Sequence, residues 1–193
     1  MMRAWIIGLA SVSFALAAEG QVALDVDKER SRISAFVRAT GHTFDAVVTD
    51  YQLDLQWDPD SGEIVSAQLV FDFDDVETGR TTRDREMREW LDYETYPMAT
   101  FELNEVDVQE GLQIAGGHLT LHGVEQEIES PFSVQETTEG VWITGQTVID
   151  HREWGLERIR AFLFLTVDPE LEVRFRILAT PPEEFRPPGD VGR

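Results

Sequence analysis

The sequence contains no cysteine. Disulfides, thiolate nucleophiles and cysteine-ligated metals are therefore all excluded, and in an oxidising compartment the fold must rest on packing and hydrogen bonding alone. Lysine is almost as scarce: Lys28 is the only one, and every other fixed side-chain cation is arginine. Basic residues number 16 against 37 acidic ones, a formal net charge of -21. Such a field repels phosphate backbones and anionic lipid surfaces, so nucleic acid is not an expected partner. An acidic, lysine-poor exterior matches a protein exposed to high external salt, although a GC-rich genome equally explains arginine in place of lysine.

Long apolar runs are missing after the first residues. Arg3 gives a short positive start, Ala4 to Ala17 is apolar apart from two serines, and Ala15-Leu16-Ala17 offers small residues where a signal peptidase reads. The run is about 14 residues, short of the ~20 that span a bilayer. This is the three-part pattern of a secretory signal peptide, cleaved after Ala17 or close to it. No cysteine follows for a lipid anchor. Residues 1–17 are thus expected to be removed, leaving an exported chain without a transmembrane segment. Residues 18–179 suit one domain with a real core. Pro181-Pro182 and Pro187-Pro188 mark residues 180–193 as a disordered tail.

What the chain does have is alternation. Apolar residues recur with period two at Val22/Leu24/Val26, Ile33/Ala35/Val37 and Tyr51/Leu53/Leu55/Trp57. The turn-rich Asp58-Pro59-Asp60-Ser61-Gly62 then closes a hairpin. Val65, Ala67, Leu69, Phe71 and Phe73 share one face of the clearest strand. Phe101/Leu103, Ile128/Phe132/Val134, Val141 to Ile149 and Leu171/Val173/Phe175/Ile177 continue the pattern. Leu112 and Ile114 fall on the opposite parity from Leu119 and Leu121, so a bulge at Gly116-Gly117 is expected to restore the inward face. At least eight strands with short connections predict an all-β fold, a closed antiparallel meander or a sandwich.

One segment departs from this. Thr81 to Leu91, TTRDREMREWL, places Met87, Trp90 and Leu91 at helical spacing. Thr81 with Asp84 resembles a capping box, and Asp84/Arg88 and Arg85/Glu89 are spaced i,i+4. A short helix near residues 81–91 is expected to cover one end of the barrel.

That helix and its flanks carry a family resemblance. The run from Thr78 to Leu103, TGRTTRDREMREWLDYETYPMATFEL, resembles the signature of the YceI-like family: a Thr, an Arg-Asp pair opening a short helix, then Tyr-Pro and a Phe. Gly117, Leu119, Thr120, Gly123 and Val124 match the family's Gly-x-Leu-Thr-hydrophobic-x-Gly-Val segment, and Phe36 with Gly41 to Phe44 resembles its first hairpin. The likeness covers nearly all of Val22 to Ala179. It implies a lipocalin-like antiparallel β-barrel of about eight strands, periplasmic, whose interior binds an isoprenoid chain such as a quinone or polyprenyl lipid. Family members are often dimeric, so a homodimer is an expected assembly. The family often has His where Ala39 stands and Gly where Val47 stands; His42 is close enough to take over from the missing His.

The resemblance turns the inward set into a ligand lining: Val37, Leu53, Leu69, Phe71, Phe101, Leu103, Phe132, Val134 and Phe175 along the wall, with His42, Phe44, Arg83 and Trp90 near the mouth. Taken alone, these residues favour a barrel filled by its own side chains; with the resemblance, an open one is expected. Arg83 has two readings, as a contact for a pyrophosphate or quinone oxygen and as an anchor for the helix, of which the residues favour the anchor. No metal site is expected, because His118 and His122 lie on a strand, where four residues span roughly 13 Å. No cofactor is expected beyond a bound lipid. No Gly-x-Ser-x-Gly, phosphate loop or selected carboxylate pair is present. The expected function is a non-enzymatic carrier or store. The alternatives are a hydrolase or isomerase acting on a small hydrophobic molecule in the same cavity, and a packed barrel acting as a stress or envelope interaction protein.

Overall fold

The structure, a computed structural model, describes residues 20–109, 112–157, 160–161 and 165–185. The expected signal peptide, residues 1–17, lies outside them, as do residues 186–193 of the expected tail. The strands, in chain order, are β1 (Val22–Ala39), β2 (His42–Val48), β3 (Gln52–Asp58), β4 (Glu63–Asp72), β5 (Val76–Glu77), β6 (Met98–Gln109), β7 (Leu112–Leu121), β8 (Val124–Thr137), β9 (Gly140–Asp150), β10 (Arg160–Ala161), β11 (Leu165–Thr166) and β12 (Glu170–Thr180). The helix α1 spans Thr81–Trp90, and short 3-10 turns lie at Phe73–Asp75, His151–Trp154 and Glu183–Phe185.

Antiparallel pairing runs β12–β9–β8–β7–β6–β4–β3–β1, and β1 closes the circle onto β12. Eight strands thus form the expected closed barrel, with one α-helix among the described residues. Strand β1 is long enough to serve two neighbours. Val22–Leu24 pair with β3, and Ile33–Ala39 pair with β2, which carries β5 on its other side. Between these halves the register with β12 jumps from Asp27/Leu178 to Arg32/Arg176. Ser31 repairs the break, its Oγ accepting the Leu178 N–H at 2.9 Å.

The two ends of the barrel differ. At one end Val22, Leu24, Trp57, Val141 and Ala179 are all buried and pack into a plug. Burying a large apolar side chain contributes about 1.5–3 kcal/mol, so this end is firmly closed. The other end receives the β1–β2 hairpin, α1 and the chain between β9 and β12.

Three local expectations are corrected. Val65 does not share the inward face of β4: the register shifts from Gln56/Ser66 to Trp57/Ile64, so Val65 bulges out, 38 % exposed, and Ile64 turns in, 4 % exposed. Strand β7 carries no bulge at Gly116-Gly117, since its register with β8 is unbroken from Gln113 to Leu121. The extra residue is Asn104 on β6, between Leu103/Gly117 and Glu105/Gly116. Leu112 and Ile114 therefore stay on the outer parity, and Leu112 is 58 % exposed. Thr81 is not the helix cap. Arg80 occupies that position in extended conformation without a side-chain cap. Asp84 instead reaches back to Thr78, and Arg88 pairs with Asp74 at 3.1 Å rather than with Asp84. The Arg85–Glu89 pair forms as spaced, at 3.7 Å.

The helix ends on a left-handed residue. Asp92 has φ of 49°, the Tyr93 N–H donates to Arg88 O at 3.1 Å, and the Asp92 N–H to Glu89 O at 3.3 Å. This is the paired bonding of a Schellman motif with aspartate where glycine is usual. Of residues 180–193, expected as a tail, Thr180 ends β12, Pro181 is buried and Glu183–Phe185 form a turn.

Candidate ligand cavity

Above the plug the barrel is hollow. The cavity measures about 510 Å³ and its lining is overwhelmingly apolar. Several inward-facing residues, Leu53, Leu69, Phe71, Phe101, Leu103 and Phe175 among them, are only half-buried, because their inner surfaces look onto open space. Small residues make that space. At one level of the wall Ala46 pairs with Ala35, Ala35 with Val173, Val173 with Thr147, and Ser130 with Ala115. All six face the cavity.

Two glycines seat aromatic rings beside this level. A Cβ on Gly117 would collide with the Phe101 ring, and one on Gly145 with Phe175. Both rings therefore lie across the backbone of a neighbouring strand, where any larger residue would lift them into the cavity.

Twelve of the thirteen lining residues expected from the sequence border the cavity. Val37 on β1, Leu53 on β3, Leu69 and Phe71 on β4, Phe101 and Leu103 on β6, Phe132 on β8 and Phe175 on β12 form its wall. His42 and Phe44 on β2 and Arg83 and Trp90 on α1 stand at the mouth. Val134 is the exception. It is opposite Ile143 and packs against the core outside the cavity lining. Its parity was read correctly, but its depth along the barrel axis was not visible in the sequence. The small residues Ala46, Ala115, Ser130 and Thr147 were missed as lining. Their inward parity was the available signal.

The mouth is built from aromatic N–H groups tied to carbonyls. Trp90 Nε1 donates to Glu157 O at 2.8 Å, Trp154 Nε1 to Leu119 O at 2.9 Å, and His151 Nδ1 to Leu156 O at 3.1 Å. His151 is fully buried with its ring edge-on to Trp90, centroids 4.9 Å apart. Thr166 and Val167 extend the rim, where Thr40 N–H donates to Thr166 O at 3.0 Å and Asp168 N–H to Arg38 O at 2.8 Å. His42 lies directly opposite Ala39 in the β1–β2 register, stacked on Phe44 at 5.8 Å. It therefore occupies the mouth beside the position where the family often has His.

Arg83 is held from two sides. Its Nε donates to Thr78 Oγ1 at 2.8 Å, a second nitrogen donates to Thr78 O, and its guanidinium lies 3.7 Å from the centre of the Phe44 ring. The anchoring role is thus real, and the residue still borders the cavity with donors to spare. Burial and then the nearby Arg80 push the guanidinium below its ordinary value, with Asp84 pulling the other way. It remains cationic at neutral pH. Arg80 and Glu86 share the rim. Two arginines thus face the mouth of a chain whose net charge is -21.

His118 and His122 are engaged separately. His118 Nδ1 is 2.7 Å from Asn104 Nδ2, whereas His122 sits in the β7–β8 turn and donates to Trp154 O at 3.3 Å. Among the described residues no helix is long and apolar enough to cross a membrane.

A family model described as YceI-like domain matches residues 24–179. No curated protein matches the chain in sequence. Among solved structures, BcnA of Burkholderia cenocepacia is similar with a TM-score of 0.71 at 21 % identity, covering 81 % of this chain and 100 % of that one. A polyisoprenoid binding domain from Saccharophagus degradans, implicated in plant cell wall breakdown, gives 0.62 at 20 % identity, covering 83 % and 99 %. The YceI protein of Campylobacter jejuni gives 0.58 at 15 % identity, covering 94 % and 99 %. At these identities the likeness is one of fold.

Proposed function

The chain belongs to the YceI-like domain family, and we propose that its barrel holds a long apolar isoprenoid lipid, of polyprenyl or quinone type, as a non-enzymatic carrier or store in the bacterial periplasm. The observation that carries this reading is the open apolar cavity of about 510 Å³ beneath a polar mouth. An eight-stranded barrel has room for one slender ligand when its inward side chains are small. Each methylene moved from water into such an interior contributes about 0.8 kcal/mol, so a chain of several prenyl units binds tightly by burial alone.

The similar domain from Saccharophagus degradans, named for polyisoprenoid binding, supports the choice of ligand class. Arg3 and the apolar run Ala4 to Ala17 support export. At the mouth, Arg80 and Arg83 supply charge-assisted donors for an anionic head or a quinone oxygen.

Titration with a prenyl quinone, followed by tryptophan fluorescence, tests the proposal because Trp90 borders the cavity. Saturable quenching at one ligand per chain is expected. A chain that binds no prenyl probe, or that turns the probe over chemically, contradicts the proposal.

A further inference from the structure

We infer that a lipid with a neutral head able both to donate and to accept a hydrogen bond, an alcohol or a primary amide, enters this cavity head first and is held at mid-depth by Ser130 and Thr147. The inference rests on the carrier reading above and adds to it a second polar address, below the mouth.

Ser130 borders the cavity, is 5 % exposed, and its Oγ has no hydrogen-bond partner among the described residues. Buried hydroxyls are seldom left unpaired, because desolvation then goes uncompensated. Its neighbour completes the site. The β8–β9 pairing ends at Phe132/Gly145, and two residues beyond it Thr147 still reaches β8, at the Glu129 carbonyl next to Ser130. Thr147 Oγ1 donates to Glu129 O at 2.8 Å, which uses its proton and leaves its oxygen free to accept. Ser130 keeps an uncommitted proton. A donor and an acceptor therefore stand side by side in an otherwise apolar wall.

The chemistry of the pair selects its guest. A hydroxyl or a primary amide satisfies both groups, a lone carbonyl or ether only one, and a hydrocarbon neither. Charge is unsuited to this depth. The register neighbours on the same level are Ala115 on one side and Val173, then Ala35, on the other. An anionic phosphate brought there would lose its hydration without gaining a counter-ion. At the mouth Arg80 and Arg83 provide one. Anionic heads accordingly stay at the rim with their tails inward, whereas neutral donor-acceptor heads descend to Ser130 with their tails toward the mouth. The small side chains of Ala35, Ala46 and Ala115 leave the room for a head at that level.

The test compares three probes of one chain length on the mature protein: geranylgeraniol, geranylgeranyl phosphate and the matching hydrocarbon without the hydroxyl. Ser130→Ala should weaken geranylgeraniol by about fivefold, the scale of one lost hydrogen bond, and leave the other two unchanged. Thr147→Val should act in the same direction, and Thr147→Ser should restore wild-type binding. A loss shared equally by all three probes, or confined to the phosphate, overturns the inference. So does a gain for the hydrocarbon with the alcohol unchanged, the signature of an ordered water at Ser130. If the wild-type protein binds none of the probes, the carrier reading falls and this inference with it. If it binds all three and Ser130→Ala does not discriminate, only the inference falls.

Discussion

The Asp84 carboxylate accepts both the backbone N–H and the hydroxyl of Thr78, the N–H at 2.8 Å, and both residues are buried. Thr78 in turn accepts from Arg83 through its Oγ1 and its carbonyl. One threonine just ahead of α1 thus receives both members of the Arg-Asp pair that opens the helix. The helix is thereby fixed to β5 and held over the barrel mouth. This is the physical content of the sequence signature.

Asp84→Ala removes an ionised acceptor from two buried donors. Hydrogen bonds to charged groups contribute about 1.5–3 kcal/mol each and partly overlap, so a loss of about 2–4 kcal/mol is expected by chemical denaturation. Asp84→Asn, which keeps one acceptor, should lose less. A variant as stable as wild type would contradict the assigned role.

Arg83→Ala removes a cation from the mouth together with the donors that tie α1 to Thr78. Affinity for prenyl ligands with an anionic head should fall more than affinity for headless chains of the same length. Equal losses would show that the residue acts only as the helix anchor.

Phe71→Glu places a carboxylate on the cavity wall, where Phe71 now lies edge-on to Phe73 with centroids 5.5 Å apart. Lipid uptake should be abolished, and stability should fall as well. Ala115→Leu separates the two effects by filling the cavity with apolar volume. It should reduce uptake while retaining a cooperative unfolding transition. Full uptake by either folded variant would contradict the interior assignment.

Asp150 caps the turn at His151–Trp154 and pairs with Arg152, chiefly through a side-chain hydrogen bond that lowers its pKa to about 2. A carboxyl lowered in the folded state adds stability above its ordinary range near 3.8, and that contribution disappears as pH falls toward 2. Asp150→Asn should therefore melt below wild type at pH 6, with the gap closing between pH 4 and pH 2. A gap that is constant across that window would mean that the ion pair contributes nothing.

Much of the barrel was legible because period-two alternation reports which face a residue takes. Leu171, Val173, Phe175 and Ile177 all point inward as their pattern requires. Val65 and Leu112 broke the rule because bulges are set by pairing with a partner strand. The extra residue that matters for β7 is Asn104, on β6. The end of α1 carried no glycine signal, since Asp92 takes the left-handed position. Depth along the barrel has no period at all, which is why Val134 looked like Phe132 yet lies beyond the cavity lining. The cavity itself depends on small residues meeting across different strands. Ala35 was recognised as inward, but its meeting with Ala46 and Val173 exists only once the strands are paired.

The central claim is that the cavity of about 510 Å³ is occupied by an isoprenoid lipid in the cell. Mass spectrometry of a solvent extract of the protein, purified without detergent from its native host, tests it most directly. A polyprenyl or quinone lipid at about one per chain is the expected result; a repeatedly empty extract would contradict it.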